Sequence, residues 1–304
     1  VRLPNMDGRV LLLGGTGLIG RALTACLGPE RAVATHRDHP ADDSLWFDST
    51  ASSVESLLDQ VGNPGHAVLL FAESRTVFCA KHPEEAAAIN IGSSIRTLDA
   101  LKKRGIKPVF LSSDGVFDGR GGNYTETDTP HPLMEYGKQK LAVEHHLTTQ
   151  FDDYLIVRPT RVLSTQPGEG AIFDSWLAAI RDKTVIQCAD DHHFCPIAKD
   201  DLAKLIVALI DGGAKGIFHA GGPDAVTHWS LLQSFIAALG VKRATIQAVA
   251  KSINDFDVGE TRPLNTTLNS EKARALTGLV PATPGEVCRE YAEAVKRQGG
   301  FENG

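Results

Sequence analysis

The chain lacks an even set of cysteines: its 304 residues hold five, at positions 26, 79, 188, 195 and 288, with no paired metal-ligand spacing. That argues against a disulfide framework and reads as reduced thiols in a cytoplasmic protein. Positive charge is not in excess either. The formal net charge of −6 gives no electrostatic reason to expect nucleic acid or an anionic membrane as partner. No apolar run approaches the ~18 residues of a membrane-crossing helix. Arg2 and Pro4 lead directly into the first β-rich run, which does not resemble a signal peptide. Internal repeats and low-complexity segments are lacking too. The doublets His145-His146 and His192-His193 have no supporting ligand cluster, so surface positions are expected for them and no metal site.

What the chain does contain begins at Val10. An apolar β-favouring run, Val10 to Leu13, leads into Gly14-Gly-Thr-Gly17-Leu-Ile-Gly20 and then a helical pattern. Gly14 permits a tight turn, Gly17 lets backbone approach a pyrophosphate, and Gly20 allows close packing of helix on strand. The helix that follows offers free N–H groups to phosphates. Gly14, Thr16, Gly17, Leu18, Ile19 and Gly20 are therefore the expected cofactor cradle. The next run, Arg31 to Thr35, ends in His36-Arg37 rather than in a carboxylate for a ribose 2′-hydroxyl. An arginine there suits a 2′-phosphate, so NADP(H) is favoured and NAD(H) stays open. Asp48 sits where a loop could reach the adenine, or could cap a helix.

A second motif, Tyr136-Gly-Lys-Gln-Lys140, follows Ser113 at the end of another apolar run. Tyrosine and lysine four apart share a helix face. A free phenol has a pKa of about 10, and a neighbouring cation can lower it by roughly 1–3 units. A serine hydroxyl aimed at the same point can polarise a carbonyl oxygen. Together Ser113, Tyr136 and Lys140 suit acid/base work during hydride transfer.

Around these motifs, β-rich runs alternate with helical patterns, which predicts an α/β fold: a Rossmann-type, doubly wound parallel sheet. Strands are expected over 10–14, 32–36, 67–72, 107–112, 154–158 and 216–219, and helices over 18–28, 53–61, 83–104 and 136–150. The stretch 118–132 reads as a loop across the carboxyl edge of the sheet, where ligands bind in such folds. Residues 1–160 form the expected NADP(H)-binding domain. About 190–220 return to it, with Lys199 to Ile210 and Gly216 to Ala220 at the sheet's edge. Residues 161–190 and 220–304 form a smaller C-terminal substrate-binding lobe. The polar tail from Gln298 to Gly304 is expected to fray.

With those residues in hand, the chain resembles the extended short-chain dehydrogenase/reductases, and more narrowly the dTDP-4-dehydrorhamnose reductase group. Besides the two motifs above, the marks are Ser112-Ser-Asp-Gly-Val-Phe-Asp-Gly119, Tyr124-Thr-Glu-Thr-Asp-Thr-Pro130, Glu144, Gly216-Ile-Phe-His-Ala-Gly-Gly222 and Arg262-Pro-Leu-Asn-Thr-Thr-Leu-Asn-Ser-Glu-Lys272. The resemblance implies that Ser113 polarises a carbonyl and Tyr136 donates its proton. Lys140 would lower the tyrosine's pKa and hold the nicotinamide ribose, with hydride passing to the C4 ketone of a deoxysugar. Asn90 falls at a helix position that supports the active site in this group. Asp114, Gly115, Arg161 and Arg262 fall on the substrate side, and the charge of Arg262 suits a diphosphate.

Two positions depart from the group. Gly115 stands where an aromatic residue usually flanks the sugar, and Arg161 where tryptophan is frequent. A larger or more acidic ligand would account for both; so would drift at Gly115 with Arg161 paired to a nearby carboxylate. Three functions therefore stand side by side: an NADP(H)-dependent reductase of a nucleotide-linked ketosugar or similar small molecule, a regulatory subunit serving a partner enzyme, and a nucleotide-sugar epimerase. Dehydration is disfavoured because no glutamate follows Asp114. Helical segments 83–104 and 136–150 could form a homodimer face.

Overall fold

The computed structural model describes residues 8–170, 172–256 and 259–299. Its centre is a seven-stranded parallel sheet. The strands are β1 (Val10–Leu13), β2 (Ala32–His36), β3 (Leu45–Trp46), β4 (His66–Leu69), β5 (Lys107–Leu111), β6 (Leu155–Pro159) and an edge strand, Gly216–Ala220. From edge to edge the order is Gly216–Ala220, β6, β5, β4, β1, β2, β3. The chain thus reverses its direction of travel across the sheet between β1 and β4, and the carboxyl ends there open a crevice. This is the α/β, Rossmann-type sheet expected from the alternation of runs.

Helices cover both faces. On one, α1 (Leu18–Leu27) buries Ala22, Leu23 and Leu27 against the sheet and against the helix Lys199–Asp211. On the other lie α2 (Val54–Val61), a helix over Ser94–Arg104, and one over Glu135–Gln150, sharing a core of Leu57, Leu58, Leu98, Leu101, Val143 and Leu147. Residues 199–210, expected at the sheet's edge, instead form a helix on its face. Their apolar positions recur at helical spacing, leaving the edge to Gly216–Ala220 alone. A second core joins the helices Ile172–Arg181, His228–Leu239 and Pro284–Arg297, where Phe173 stacks on Phe235 with ring centroids 4.7 Å apart and meets Tyr291 edge-on at 5.2 Å. Most of the 298–304 tail lies outside the described residues.

Several boundaries differ from the sequence reading. The strand expected over 67–72 ends at Leu69, because the N–H groups of Leu70 and Phe71 both turn to Leu13 O. The single helix expected over 83–104 is three pieces, Pro83–Ala87, a π-helical turn over Ala88–Ser93, and Ser94–Arg104. Helix Glu135–Gln150 has no side-chain cap of its own. Its first N–H is instead accepted by Glu260 Oε1 at 2.6 Å, from far along the chain.

The run Leu264–Asn269 ties the two parts together. On one side, Asn265 N donates to Gly119 O, Tyr124 N to Thr267 O and Asn269 N to Tyr124 O; on the other, His193 N donates to Leu264 O and Thr266 N to His193 O. Beneath this run a buried ion pair fixes the helix Glu135–Gln150. Arg158 of β6 donates through Nε to Glu144 Oε1 at 2.9 Å and through Nη2 to Oε2 at 2.6 Å. Both side chains are fully buried. Arg158 also lies over the Phe117 ring at 5.2 Å and donates through Nη1 to His219 Nε2 at 3.3 Å. Burial holds His219 down at about 4, so it is neutral and accepts that bond while its Nδ1–H donates to Tyr124 O at 2.9 Å.

Removing the carboxylate would strand a buried guanidinium. Glu144→Gln is expected to lower unfolding stability by about 3–5 kcal/mol. Urea denaturation measures this, and an unchanged midpoint would rule out a structural role for the pair.

Candidate active site

Ser113 follows β5 and opens a short 3₁₀ turn, Asp114–Val116, at the sheet's carboxyl edge. Its Oγ accepts from Gly115 N at 3.0 Å and donates to Asp114 Oδ1 at 3.0 Å. Asp114 Oδ2 in turn accepts from Thr266 Oγ1 at 2.8 Å. Burial pushes the Asp114 carboxyl above its usual range, against its hydrogen bonds to Thr266 and Ser113 and the attraction of Arg161. Ser113, Asp114, Gly115, Tyr136, Arg161 and Arg262 all line one cavity of about 230 Å³.

Lys140 is buried two turns from the start of its helix. Its Nζ donates to Leu111 O at 2.8 Å, lies over the Phe110 ring at 4.8 Å, and stands 5.6 Å from the centroid of the Tyr136 ring. Burial lowers its pKa to about 8, opposed by Glu144. The expectation that Lys140 depresses the Tyr136 pKa is not met. Burial first, and then the neighbouring Asp114, drives the phenol upward instead. The reason is distance and dielectric: the ammonium is spent on a carbonyl at the end of β5, while the phenol sits among apolar and acidic neighbours. Tyr136 is a firm proton holder here.

Asn90 is placed by the π-helical turn. Its Oδ1 accepts from Glu73 N at 2.8 Å, and its Nδ2 donates to Glu73 O at 2.9 Å and to Gln139 Oε1 at 2.7 Å. Gln139 precedes Lys140, so this clasp fixes the helix Glu135–Gln150 to the chain leaving β4.

The glycine turn was tested as a dinucleotide cradle by its shape. Gly14 has φ +95, which supports the tight turn. A Cβ on Gly17 would touch only Gly14 O, at 3.4 Å, so its outer face is open, and no side chain caps α1 there. A Cβ on Gly20 would lie 2.5 Å from Gly14 O and from Gly15 C. Thr16 O accepts from Arg21 Nη1 at 2.8 Å, holding the loop's shape, and Leu18 and Ile19 open α1. The shape fits a dinucleotide phosphate.

Beyond the turn the fit is mixed. His36 Nδ1 is hydrogen-bonded with Ser44 Oγ at 2.7 Å. Arg37 is exposed and paired with Asp38 at 2.6 Å, so a 2′-phosphate would have to share it. Asp48 caps no helix: its Oδ1 accepts from Thr50 N and Thr50 Oγ1, while Ser53 caps α2.

Arg161 is enclosed by protein yet solvent-accessible, because it opens into the cavity. It makes no ion pair within 4 Å among the described residues. Pairing with a nearby carboxylate, one of the two accounts of this residue, therefore fails; Asp114 attracts it from farther off. Arg262 Nη2 reaches Thr76 Oγ1 at 3.5 Å. His192 was expected at the surface with His193. Only His193 is exposed; His192 lines the cavity, stacked on Phe194 and on His228. It immediately precedes the strand His193–Phe194, and neighbours along extended chain face opposite sides. His228 and Thr266 were not recognised from sequence; Thr266 lay within the quoted Arg262–Lys272 run, whereas His228 gave no signal. Among the described residues no cluster able to hold a metal is found, and no helix is long and apolar enough to cross a membrane.

Ser113 and Tyr136 thus line one cavity at the sheet's carboxyl edge, and residues 8–297 match the family model "RmlD substrate binding domain". The chain belongs to that family. Relatives and structural neighbours cover more than nine-tenths of the chain. A dTDP-4-keto-6-deoxy-D-glucose reductase of Streptomyces niveus is 30% identical over 284 residues, covering 91% of this chain and 93% of that protein. Methionine adenosyltransferase 2 subunit beta of Rattus norvegicus is 27% identical over 299 residues, covering 93% and 86%. The crystal structure of dTDP-4-dehydrorhamnose reductase from Bacillus anthracis, in complex with NADP, superposes with a TM-score of 0.82 at 22% identity, covering 94% of this chain and 99% of that one.

Because a methyl on Gly20 would collide with backbone on two sides, Gly20→Ala is expected to weaken dinucleotide binding by about tenfold or more and to destabilise the fold by about 1–3 kcal/mol. Fluorescence titration with NADPH reads the first and thermal unfolding the second. Wild-type values for both would show the turn to be looser than its geometry.

Proposed function

We propose that the protein is an NADP(H)-dependent reductase of a ketone on a nucleotide-linked sugar, with Tyr136 as proton donor. The observation that carries this reading is that Ser113 and Tyr136 line one cavity at the carboxyl edge of the sheet, with Lys140 Nζ buried behind the Tyr136 ring, 5.6 Å from its centroid. The relatives named as sugar-nucleotide reductases support the substrate class. The cofactor choice is supported by the open glycine turn and by Arg37 at the end of β2.

The turn Gly14–Gly20 would hold the dinucleotide's phosphates, and its nicotinamide would supply hydride to the carbonyl carbon. The carbonyl oxygen gains negative charge as that bond forms. Tyr136, neutral throughout the physiological range, gives its phenolic proton to that oxygen, so ketone, hydride and proton together yield the alcohol. The Ser113 hydroxyl turns from Asp114 toward the same oxygen and steadies it before the proton arrives. Lys140 keeps a positive charge behind the tyrosine, offsetting the phenolate left after transfer, while the Asn90–Gln139 clasp holds the helix in register.

A second reading, a regulatory subunit that binds the dinucleotide but serves a partner enzyme, is favoured by the relationship to methionine adenosyltransferase 2 subunit beta along 93% of the chain. Turnover distinguishes the two. On a panel of nucleotide 4-ketosugars, oxidation of NADPH is expected with at least one, and Tyr136→Phe is expected to slow it by about 10²–10⁴-fold with NADPH affinity retained. Wild-type turnover in that variant would remove Tyr136 from the mechanism. NADPH binding without oxidation of any ketone, and a stoichiometric protein partner on purification, would favour the subunit.

The rate should also depend on pH with a definite sign. Lys140 is charged below about 8 and neutral above, whereas Tyr136 stays protonated well beyond that point. Ketone reduction is therefore expected to be sustained below pH 8 and to fall as pH rises through it. A profile that stays flat past that point would show that the charge on Lys140 does not matter to the step.

A further inference from the structure

The cavity holds more positive charge than its walls neutralise. Arg161 and Arg262 both line it. Each is held below the ordinary arginine range by burial, and Arg262 further by repulsion from Arg161. The nearest carboxyl, Asp114, is already committed to Ser113 and Thr266 and is itself pushed toward the neutral acid. Glu260, the other acid that attracts Arg262, accepts the first N–H of the helix Glu135–Gln150. Two guanidiniums thus share a wall whose one acid among the described residues, Asp114, is already hydrogen-bonded.

Two histidines complete the arrangement. His192 and His228 stack with ring centroids 5.4 Å apart, and Nδ1 of each is buried without a hydrogen-bond partner. Burial and the two arginines hold both rings neutral. A neutral imidazole offers one N–H and one acceptor, and which nitrogen carries the proton follows the partner it finds. Beside two arginines, such rings suit an oxyanion.

The two arginines are not equivalent. Arg262 and His228 also line a smaller cavity of about 120 Å³, walled by Trp176 and Phe256, so they stand at the waist between the two spaces. Arg161 faces only the larger one, with Ser113 and Tyr136. On the nucleotide-sugar reading above, a diphosphate would sit at the waist on Arg262. We propose that Arg161 recognises a second anionic group, a carboxylate or comparable acid on the sugar itself, so that the physiological substrate is an acidic ketosugar. Planar guanidinium and carboxylate match as a bidentate pair, and Gly115 lines the same cavity as Arg161 without a side chain to project into it.

The proposal rests on the nucleotide-sugar reading, and the test separates the two. NADPH-loaded protein is titrated calorimetrically with UDP-glucose and with UDP-glucuronic acid, which share a nucleotide and diphosphate and differ in the acid. The acid is expected to bind about tenfold or more tightly in the wild type, as a charge-assisted contact would give. That ratio is expected to collapse toward one in Arg161→Gln and to survive in part in Arg161→Lys. Equal affinities in the wild type, or a ratio unchanged in Arg161→Gln, would overturn the proposal. If neither nucleotide binds while NADPH does, the nucleotide-sugar reading fails, and free glucuronate against glucose decides the remainder. An acid preference lost in Arg161→Gln then upholds Arg161 as the acid-reading residue; no acid preference overturns it.

Discussion

The ion pair between Glu144 and Arg158 is the constraint on which the site's geometry depends. Tyr136 and Lys140 ride on the helix that carries Glu144, and Arg158 belongs to β6, so the pair sets both the depth and the rotation of that helix over the sheet. A purely apolar contact would let the helix slide by fractions of a turn. A bidentate pair in a dry interior does not, since displacement leaves both charges uncompensated. Through Phe117 and His219 the same guanidinium also braces the loop after Ser113, so one buried charge positions both halves of the proposed acid–base set.

Electrostatics inside the crevice are governed by desolvation more than by pairing. The spacing of tyrosine and lysine suggests a phenol made acidic by its neighbour. The fold instead buries both, which raises the phenol and lowers the ammonium. For a group that must deliver a proton, that is a coherent arrangement: the donor is fully protonated, and the cation beside it becomes most valuable only once negative charge has appeared. The same logic separates Asp114 from Arg161. Each would pair with the other at a surface, yet in this interior Asp114 is engaged by hydroxyls and Arg161 faces open space.

Much of the sheet was legible because its signals are local. Val10–Leu13, Lys107–Leu111 and Leu155–Pro159 are short buried runs between turn residues, and each strand starts and ends within a residue of its expected limits. Boundaries failed where the determinant lay far away in sequence. Leu69 ends its strand because of Leu13. The π-helical turn at Asn90 has no composition of its own; it exists because Asn90 must reach Glu73 and Gln139 together. At the site, residues in motifs could be listed, and the fold brings Ser113, Asp114, Gly115, Tyr136, Arg161 and Arg262 to one cavity. Arg161 was noticed only as a departure, and His228 carried no pattern at all, since a lone histidine at a helix start says nothing about which wall it will join.

The run Leu264–Asn269 has one further consequence. It is stitched by backbone hydrogen bonds to the loop at Gly119–Tyr124 on one flank and to His193 on the other, and Arg262 and Thr266, on either side of Leu264, project into the cavity. The molecule is therefore sewn shut along a seam that passes through its own binding chamber. Swinging its two parts apart like a clamshell would mean breaking those hydrogen bonds on both flanks at once, so the seam resists a hinge along that line.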